Sequence, residues 1–584
     1  MAQENHALIM VRFAQDCLRK IDEVTGELAK QLGPDTSDLA LRVGIHSGPV
    51  TAGVLRGQKS RFQLFGDTVN TASRMESTGI AKHIQCSQIT AELLIEAGKS
   101  HWIEPREDLV FAKGIGEVQT YLVTTRMPSN YEGSTARSST DYDSDVSSLE
   151  DDFEGVGGMQ RLESAIRRHS QMVNQMGDLS SPIVDDHVQR LIDWNNDLLS
   201  RQLKVIISRR MSSPSGAPPA RPAPFVNKDV TSGDNPRDEY AKSIQLPRFD
   251  PNSINSLDPD RIELDGSVQE QLTELITSIA KAYNDNPFHN FEHATHVTMS
   301  VNKILKRIVA ADDCEVEVDE PEDQVYSHLH DYTFGITSDP LTHFACIFSA
   351  MIHDLDHPGV SNSQMVAEQD ARAELYANKS VAEQNSVDLA WDMLMDGEFA
   401  ELRGCLFETE DDMKRFRKLV VNSVMATDIF DPDLKSLRND RWDTAFHPPE
   451  SSEYLQPPDE DVRDMKATIV IEHIIQASDV AHTMQHWHVY QKWNRRLFEE
   501  MYAAHTAGRL PNNPADGWYK GELWFYDNYI IPLAKKLKEC GVFGVASDEF
   551  LNYAQHNRRE WETKGEKIVK DMHNKLSNGQ SLGQ

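Results

Sequence analysis

The sequence predicts a multidomain chain in which a mixed α/β segment and a polar connector precede one large all-α domain. Three observations carry this reading. Residues 1 to about 126 combine a helical apolar pattern with strand-like runs. Residues 127 to about 158 are rich in Ser, Thr, Asp and Gly (STARSSTDYDSDVSSLEDDFEGVGG), a composition that cannot bury enough apolar surface to order itself. From about 240 to 575 the apolar residues recur densely at helical spacing, with few strand signals. At 584 residues the chain also exceeds what a single core usually organises.

Taken in order, Ala7 to Lys30 places Leu8, Val11, Leu18, Ile21 and Leu28 on one helical stripe. Leu39 to Ser47 reads as a strand, and Lys113 to Thr125 ends in the strand-like TYLVTT. Within the connector, 127–239, residues 185–209 form an amphipathic helix through Val188, Leu191, Ile192, Leu198, Leu199, Leu203 and Ile206. One apolar stripe suits two roles equally, docking on the following domain or pairing two chains as a homodimer. A Pro-rich spacer, SSPSGAPPARPAPF (212–225), separates this helix from the all-α region.

Composition excludes some functions. A formal charge of -33, from 92 acidic against 59 basic residues, lacks the basic footprint of a nucleic-acid binder. Six cysteines without a CxxC pair suit a reducing compartment, where thiols serve as small core residues. No window approaches 18 consecutive apolar residues, so no membrane segment is expected, and Met1 to His6 lacks the features of a signal peptide. A cytoplasmic location is the expectation.

Three segments carry chemistry. FHNFEHATH sets His289 and His293 at i, i+4, which on a helix is one face. MIHDLDHPGVSN supplies His353, Asp354 and His357, again with histidines four apart. IIQASDVAH offers Asp479 and His482 within an apolar helical run. Each alone has an ordinary explanation, since paired histidines commonly lie on surfaces and an HD dipeptide arises by chance. Together they make a nitrogen-rich site suited to zinc or iron beside an oxygen-rich one suited to magnesium or manganese.

These segments resemble the metal-binding signatures of the class I cyclic-nucleotide phosphodiesterases, a branch of the HD hydrolase superfamily, over about residues 240–575. The resemblance implies an all-helical domain that binds two divalent metals, Zn2+ with Mg2+ or Mn2+. It implies that His293, His353, Asp354 and Asp479 hold the first metal and that Asp354 bridges to the second. His289 is implied as general acid, with His357, Glu383 and Thr427 (beside Asp428) around the metal water. The chemistry needs such groups: cations neutralise an anionic diester, and an imidazolium protonates the poor 3′-oxygen leaving group. The expected substrate is a 3′,5′-cyclic nucleotide, cGMP or cAMP, cleaved to the 5′-monophosphate.

GELWFYDNYIIPL resembles that family's purine-binding segment, with Phe525 at the base-stacking position. Where the family has a base-reading glutamine, this chain has Glu522. An amide both donates and accepts, whereas an ionised carboxylate only accepts. Guanine presents two adjacent donors, so Glu522 is expected to favour cGMP, by about 1–3 kcal/mol as for one bidentate base contact. His482 and Phe288 are further departures from the common family pattern.

LRVGIHSGPVTAGVLRGQKSRFQLFGDTVNTASRMEST (41–78) is similar to class III nucleotide cyclases, nearest the guanylate type. By that resemblance Gln63 holds the base-selecting position, Asn70 orients the ribose, Arg74 stabilises the transition state and Lys113 binds phosphate. The family's two metal-binding aspartates have no counterpart in residues 1–126, an incomplete α/β cyclase domain, so cyclase chemistry by this chain alone is expected to fail. Truncation of a longer cyclase–phosphodiesterase fusion, with or without a membrane anchor, is the preferred reading. Complementation by a cyclase partner and a degenerate, catalytically dead scaffold are the alternatives. A catalytically dead cyclic-nucleotide-binding module and an HD phosphohydrolase of other phosphate esters are the rivals for the all-α domain.

Overall fold

The computed structural model describes residues 6–32, 40–55, 61–65, 67–106, 110–112, 116–123, 185–211, 235–251, 257–308, 322–447, 460–543 and 546–582. The expected linker 127–158, the Pro-rich spacer 212–225 and Lys113 lie outside these residues. The chain divides into two compact units, Met1–Met159 and Gln160–Gln584.

The N-terminal unit opens with helix α1 (His6–Leu32) and strand β1 (Val43–Ile45), followed by β2 (Thr51–Leu55), β3 (Arg61–Phe65) and α2 (Asp67–Ser77). It continues through β4 (Ile84–Ser87), α3 (Gln88–Glu96), β5 (Ile103–Pro105), β6 (Val110–Ala112), β7 (Gly116–Val118) and β8 (Thr120–Val123). Four strands make a mixed sheet in the order β1-β4-β8-β5, with β1 parallel to β4 and the other pairs antiparallel. β2–β3 and β6–β7 are separate hairpins. Of the apolar stripe expected on α1, Val11 and Leu18 are buried with Ala14, Ile45, Ile84, Leu94 and Val123, whereas Leu28 is exposed. The strand expected over 39–47 covers only Val43–Ile45. Its middle residue must be glycine, because a Cβ on Gly44 would stand 2.0 Å from the Glu76 nitrogen of α2.

The second unit is helical, and no strand occurs among its described residues. Its first part holds α4 (Asp186–Met211), α5 (Gly266–Lys281), α6 (Phe291–Leu305), α7 (Glu322–Tyr332) and α8 (Pro340–Ile352). Next come α9 (Asn362–Ala367), α10 (Ala371–Leu375), α11 (Val381–Met395), α12 (Ala400–Leu406), α13 (Glu410–Met425) and α14 (Pro432–Phe446). α15 (Glu460–Asp479), α16 (Trp487–Thr506), α17 (Trp518–Phe525), α18 (Ile531–Glu539) and α19 (Ala546–Ser577) complete it. α8 is apolar around most of its circumference, the mark of a helix enclosed by others, and α15 is enclosed over its second half although Glu472, His473 and Gln476 lie there. Phe344 to Ile352 and Ala467 to Ser478 are buried without a break. These two helices are the rigid posts of the site. α4 docks here: its stripe Leu191, Ile192, Leu198, Leu199, Leu203 and Ile206 joins the main core. Buried Asn195 on α4 also donates to Thr295 Oγ1 on α6 at 3.0 Å.

Candidate metal and acid site

His293 lies in the first turn of α6, whose N-cap is Asn290. Asn290 Oδ1 accepts the His293 backbone N–H at 2.9 Å, so the helix begins between the two histidines. His289 therefore precedes the helix, and the expectation that it shares a helical face with His293 fails. Their rings nonetheless stand close, with centroids 6.3 Å apart. The second histidine pair behaves alike. α8 ends at Ile352, His353 is its C-cap, and Asp356 takes φ +58°, which stops any further helical turn. His357 consequently meets His289 instead, ring against ring at 3.9 Å and 31°. Asp479 is the last residue of α15, while His482 belongs to the following turn, Ala481–Met484, rather than to the helix.

The chain thus brings four side chains from three distant segments to one point. His293 Nε2 lies 3.2 Å from Asp479 Oδ1 and 3.8 Å from Asp354 Oδ2. His353 Nε2 lies 3.1 Å from Asp354 Oδ2 and 3.4 Å from Asp479 Oδ1. Three of them, His293, His353 and Asp354, each offer a ligand atom within 4.8 Å of the others. His353 Nδ1 donates to the Ala350 carbonyl at 2.9 Å, which leaves Nε2 aimed at the carboxylates. That nitrogen is buried and finds no well-aligned hydrogen bond. A bare lone pair facing two carboxylate oxygens is repulsive unless a proton or a cation lies between them. Burial opposes charge on His353, yet Asp354 and Asp479 outweigh it and hold the imidazole well above its ordinary value. The donor set, two nitrogens and two carboxylates, fits a zinc-like cation. His353 and Asp479 also stand at helix C-termini, where the backbone dipole favours positive charge.

Beside this cluster lies a second group that could hold a cation or a proton, His289, His357 and Glu500. Glu500 is a residue the sequence did not single out. Its Oε1 lies 2.5 Å from His289 Nδ1, and its Oε2 accepts the backbone N–H groups of Phe288 and His289 at 2.9 and 3.0 Å. Burial disfavours charge on His289, but Glu500 and then Asp354 reverse this and raise it to about 9. Burial and the neighbouring His289 cation drive His357 down to about 3, so it is neutral. One signal for Glu500 was present: Trp493, Glu500 and Ala504 are buried along one helix, so a carboxylate occupies a core position.

Glu383, in the first turn of α11, receives Asn362 Nδ2 at 2.9 Å, and the same amide reaches Asp428 Oδ2 at 3.4 Å. Burial and the Asp428 charge push Glu383 up to about 8. Thr427, next to Asp428, donates to the Val424 carbonyl at 2.7 Å. At the base segment Phe525 stacks on Tyr529 at 5.3 Å. Glu522 accepts the Tyr490 hydroxyl at 2.6 Å.

In the N-terminal unit Asn70 and Arg74 lie one turn apart on α2, and Gln63 pairs with Gly53 in the β2–β3 hairpin.

The sequence pattern described as 3'5'-cyclic nucleotide phosphodiesterase matches residues 288–542. That of the adenylate and guanylate cyclase catalytic domain matches residues 1–125. The chain joins a phosphodiesterase domain to a cyclase-like domain. The match at 288–542 spans every residue of both histidine clusters. Over 367 residues the chain is 25% identical to the dual specificity calcium/calmodulin-dependent 3',5'-cyclic nucleotide phosphodiesterase 1C of Homo sapiens, covering 58% of this chain and 45% of that one. The cGMP-specific 3',5'-cGMP phosphodiesterase 3 of Dictyostelium discoideum is 22% identical over 314 residues, 51% of this chain and 56% of that one. At the front, guanylate cyclase 32E of Drosophila melanogaster is 46% identical over 104 residues, 18% of this chain and 9% of that one. This chain thus spans less than two thirds of each of these relatives. No helix among the described residues is long and apolar enough to cross a membrane.

Proposed function

We propose that the phosphodiesterase domain hydrolyses 3′,5′-cyclic nucleotides to 5′-monophosphates, with guanine preferred. The reading rests on one observation, the convergence of His293, His353, Asp354 and Asp479 beside the His289–Glu500 pair. In it the first four hold one divalent metal, zinc by donor type, and Asp354 also faces a second, magnesium or manganese. When bound, such cations neutralise the phosphoryl oxygens and activate water. Glu383, Thr427 and His357 orient the surrounding water.

His289 supplies the proton. Its Nδ1–H is committed to Glu500, so the transferable proton sits on Nε2. The high pKa that Glu500 confers keeps the ring charged at neutral pH, ready for the departing 3′-oxygen. Phe525 stacks the base and Glu522 accepts from its edge. One relative is of dual specificity and the other cGMP-specific, so both bases belong in the assay.

The test compares wild type and Asp479→Ala on cAMP and cGMP with zinc and magnesium supplied. Turnover should fall by about a hundredfold or more, the scale of losing transition-state charge stabilisation. Undiminished turnover would remove the metal assignment.

A further inference from the structure

Glu522 sits at the end of a hydrogen-bond relay whose direction is fixed by chemistry. Indole N–H can only donate, and Trp518 Nε1 donates to Asn494 Oδ1 at 3.3 Å. That leaves the Asn494 amide nitrogen to donate to the Tyr490 hydroxyl oxygen, also at 3.3 Å. Tyr490 in turn donates to Glu522 Oε2, at 2.6 Å. Tyr490 is fully buried and Asn494 nearly so, so water does not compete for these bonds. Oε2 thus accepts from Tyr490, and Asn494 also donates to the carboxyl, so the protein meets Glu522 with donors and a proton that it carries resides on the oxygen Tyr490 leaves free, Oε1.

We propose that this relay leaves a single carboxyl oxygen of Glu522 to read the nucleobase, as acceptor when ionised and donor when protonated, so that base preference follows pH. The inference rests on the phosphodiesterase reading above and on Glu522 meeting the base. An ionised Oε1 accepts from guanine's two adjacent donors and repels the ring nitrogen lone pair of adenine. A protonated Oε1 donates to that lone pair instead. The midpoint falls in an accessible range: burial pushes Glu522 up to about 7, opposed by the hydrogen bonds from Tyr490 and Asn494. The titratable groups facing it are two phenols, Tyr490 on α16 and Tyr526 in the turn after α17, both held un-ionised by burial. No ion pair to Glu522 is formed among the described residues. Tyr490 acts here as a positioning residue.

The experiment measures kcat/KM for cGMP and cAMP from pH 6 to 8 and follows their ratio, in which pH effects common to both substrates cancel. With a midpoint near 7 the ionised fraction rises about tenfold over this range while the protonated fraction falls about tenfold, so the cGMP-to-cAMP ratio should rise by up to about a hundredfold. In Glu522→Gln, whose amide does not titrate, the ratio should become flat. In Tyr490→Phe the carboxylate loses its donor, and the midpoint should move to higher pH. A flat wild-type ratio with both nucleotides still hydrolysed overturns the inference and leaves the hydrolase reading standing. A pH-dependent ratio that persists in Glu522→Gln overturns it too. Hydrolysis of neither nucleotide at any pH overturns the hydrolase reading and this inference with it.

Discussion

Glu500 does three things with two oxygens: it pairs with the His289 ring and fixes the backbone of both Phe288 and His289. Its own carboxyl is held down to about 2, because the His289 charge outweighs the burial that would raise it. The pair therefore persists from acidic pH up to about 9, where His289 loses its proton. Glu500→Gln keeps an oxygen for the backbone bonds but removes the charge. The imidazolium, present below the His289 pKa and lost above it, is then lost at lower pH. The basic limb of the kcat/KM profile should move to lower pH, and at pH 8 activity should fall by about tenfold or more. An unmoved basic limb would mean that another group protonates the leaving oxygen. At this scale the sequence was partly legible. His293, His353, Asp354 and Asp479 stood out because several rare residue types sat in apolar surroundings. Glu500 carried no local motif, and its partner lies 211 positions away.

Helix ends decide how these residues face one another. The helical stripes on α1 and α4 could be read from spacing alone, since burial on one face imposes a 3.6-residue period. Where a helix starts is set by single side chains, and there the i, i+4 reading of both histidine pairs went wrong. Asn290 just before an apolar run is itself a start signal, so the break between His289 and His293 was present in the text. Asp356 in the left-handed region was not, because nothing in HDLDH demands a positive φ. Asn290 does more than cap α6: its Nδ2 donates to the Asn286 carbonyl at 2.8 Å, binding the His289 segment to the helix start. Asn290→Ala should cost about 1 kcal/mol or somewhat more, read as a lower urea midpoint, and should reduce kcat. Asn290→Asp restores the cap acceptor but not the Nδ2 donor. It should recover most of the stability and less of the rate. Equal recovery of both would show that the cap alone matters.

The helical unit folds around a cluster of unlike charges, and that couples its stability to cation binding. Carboxylates and imidazoles from α6, α8 and α15 meet at the centre of their packing, where Asp354 and His353 strain against burial. A divalent ion held by these four groups binds the folded state alone, because three of its ligand segments are more than fifty residues apart in sequence. Linkage then adds about 2.7 kcal/mol when free metal is a hundred times its dissociation constant. Eight of the nine tryptophans lie after residue 185, so tryptophan fluorescence reports the melting of this unit. Removing metal with a chelator should lower that transition by roughly 5 °C, and restoring zinc should reverse the shift. In Asp479→Asn, which keeps the shape of the side chain but loses its charge, the chelator-induced shift should shrink. A chelator shift of wild-type size in that variant, with zinc content unchanged, would place the cation elsewhere in the chain. The charge cluster would then be a buried salt network that costs stability and returns none of it through binding.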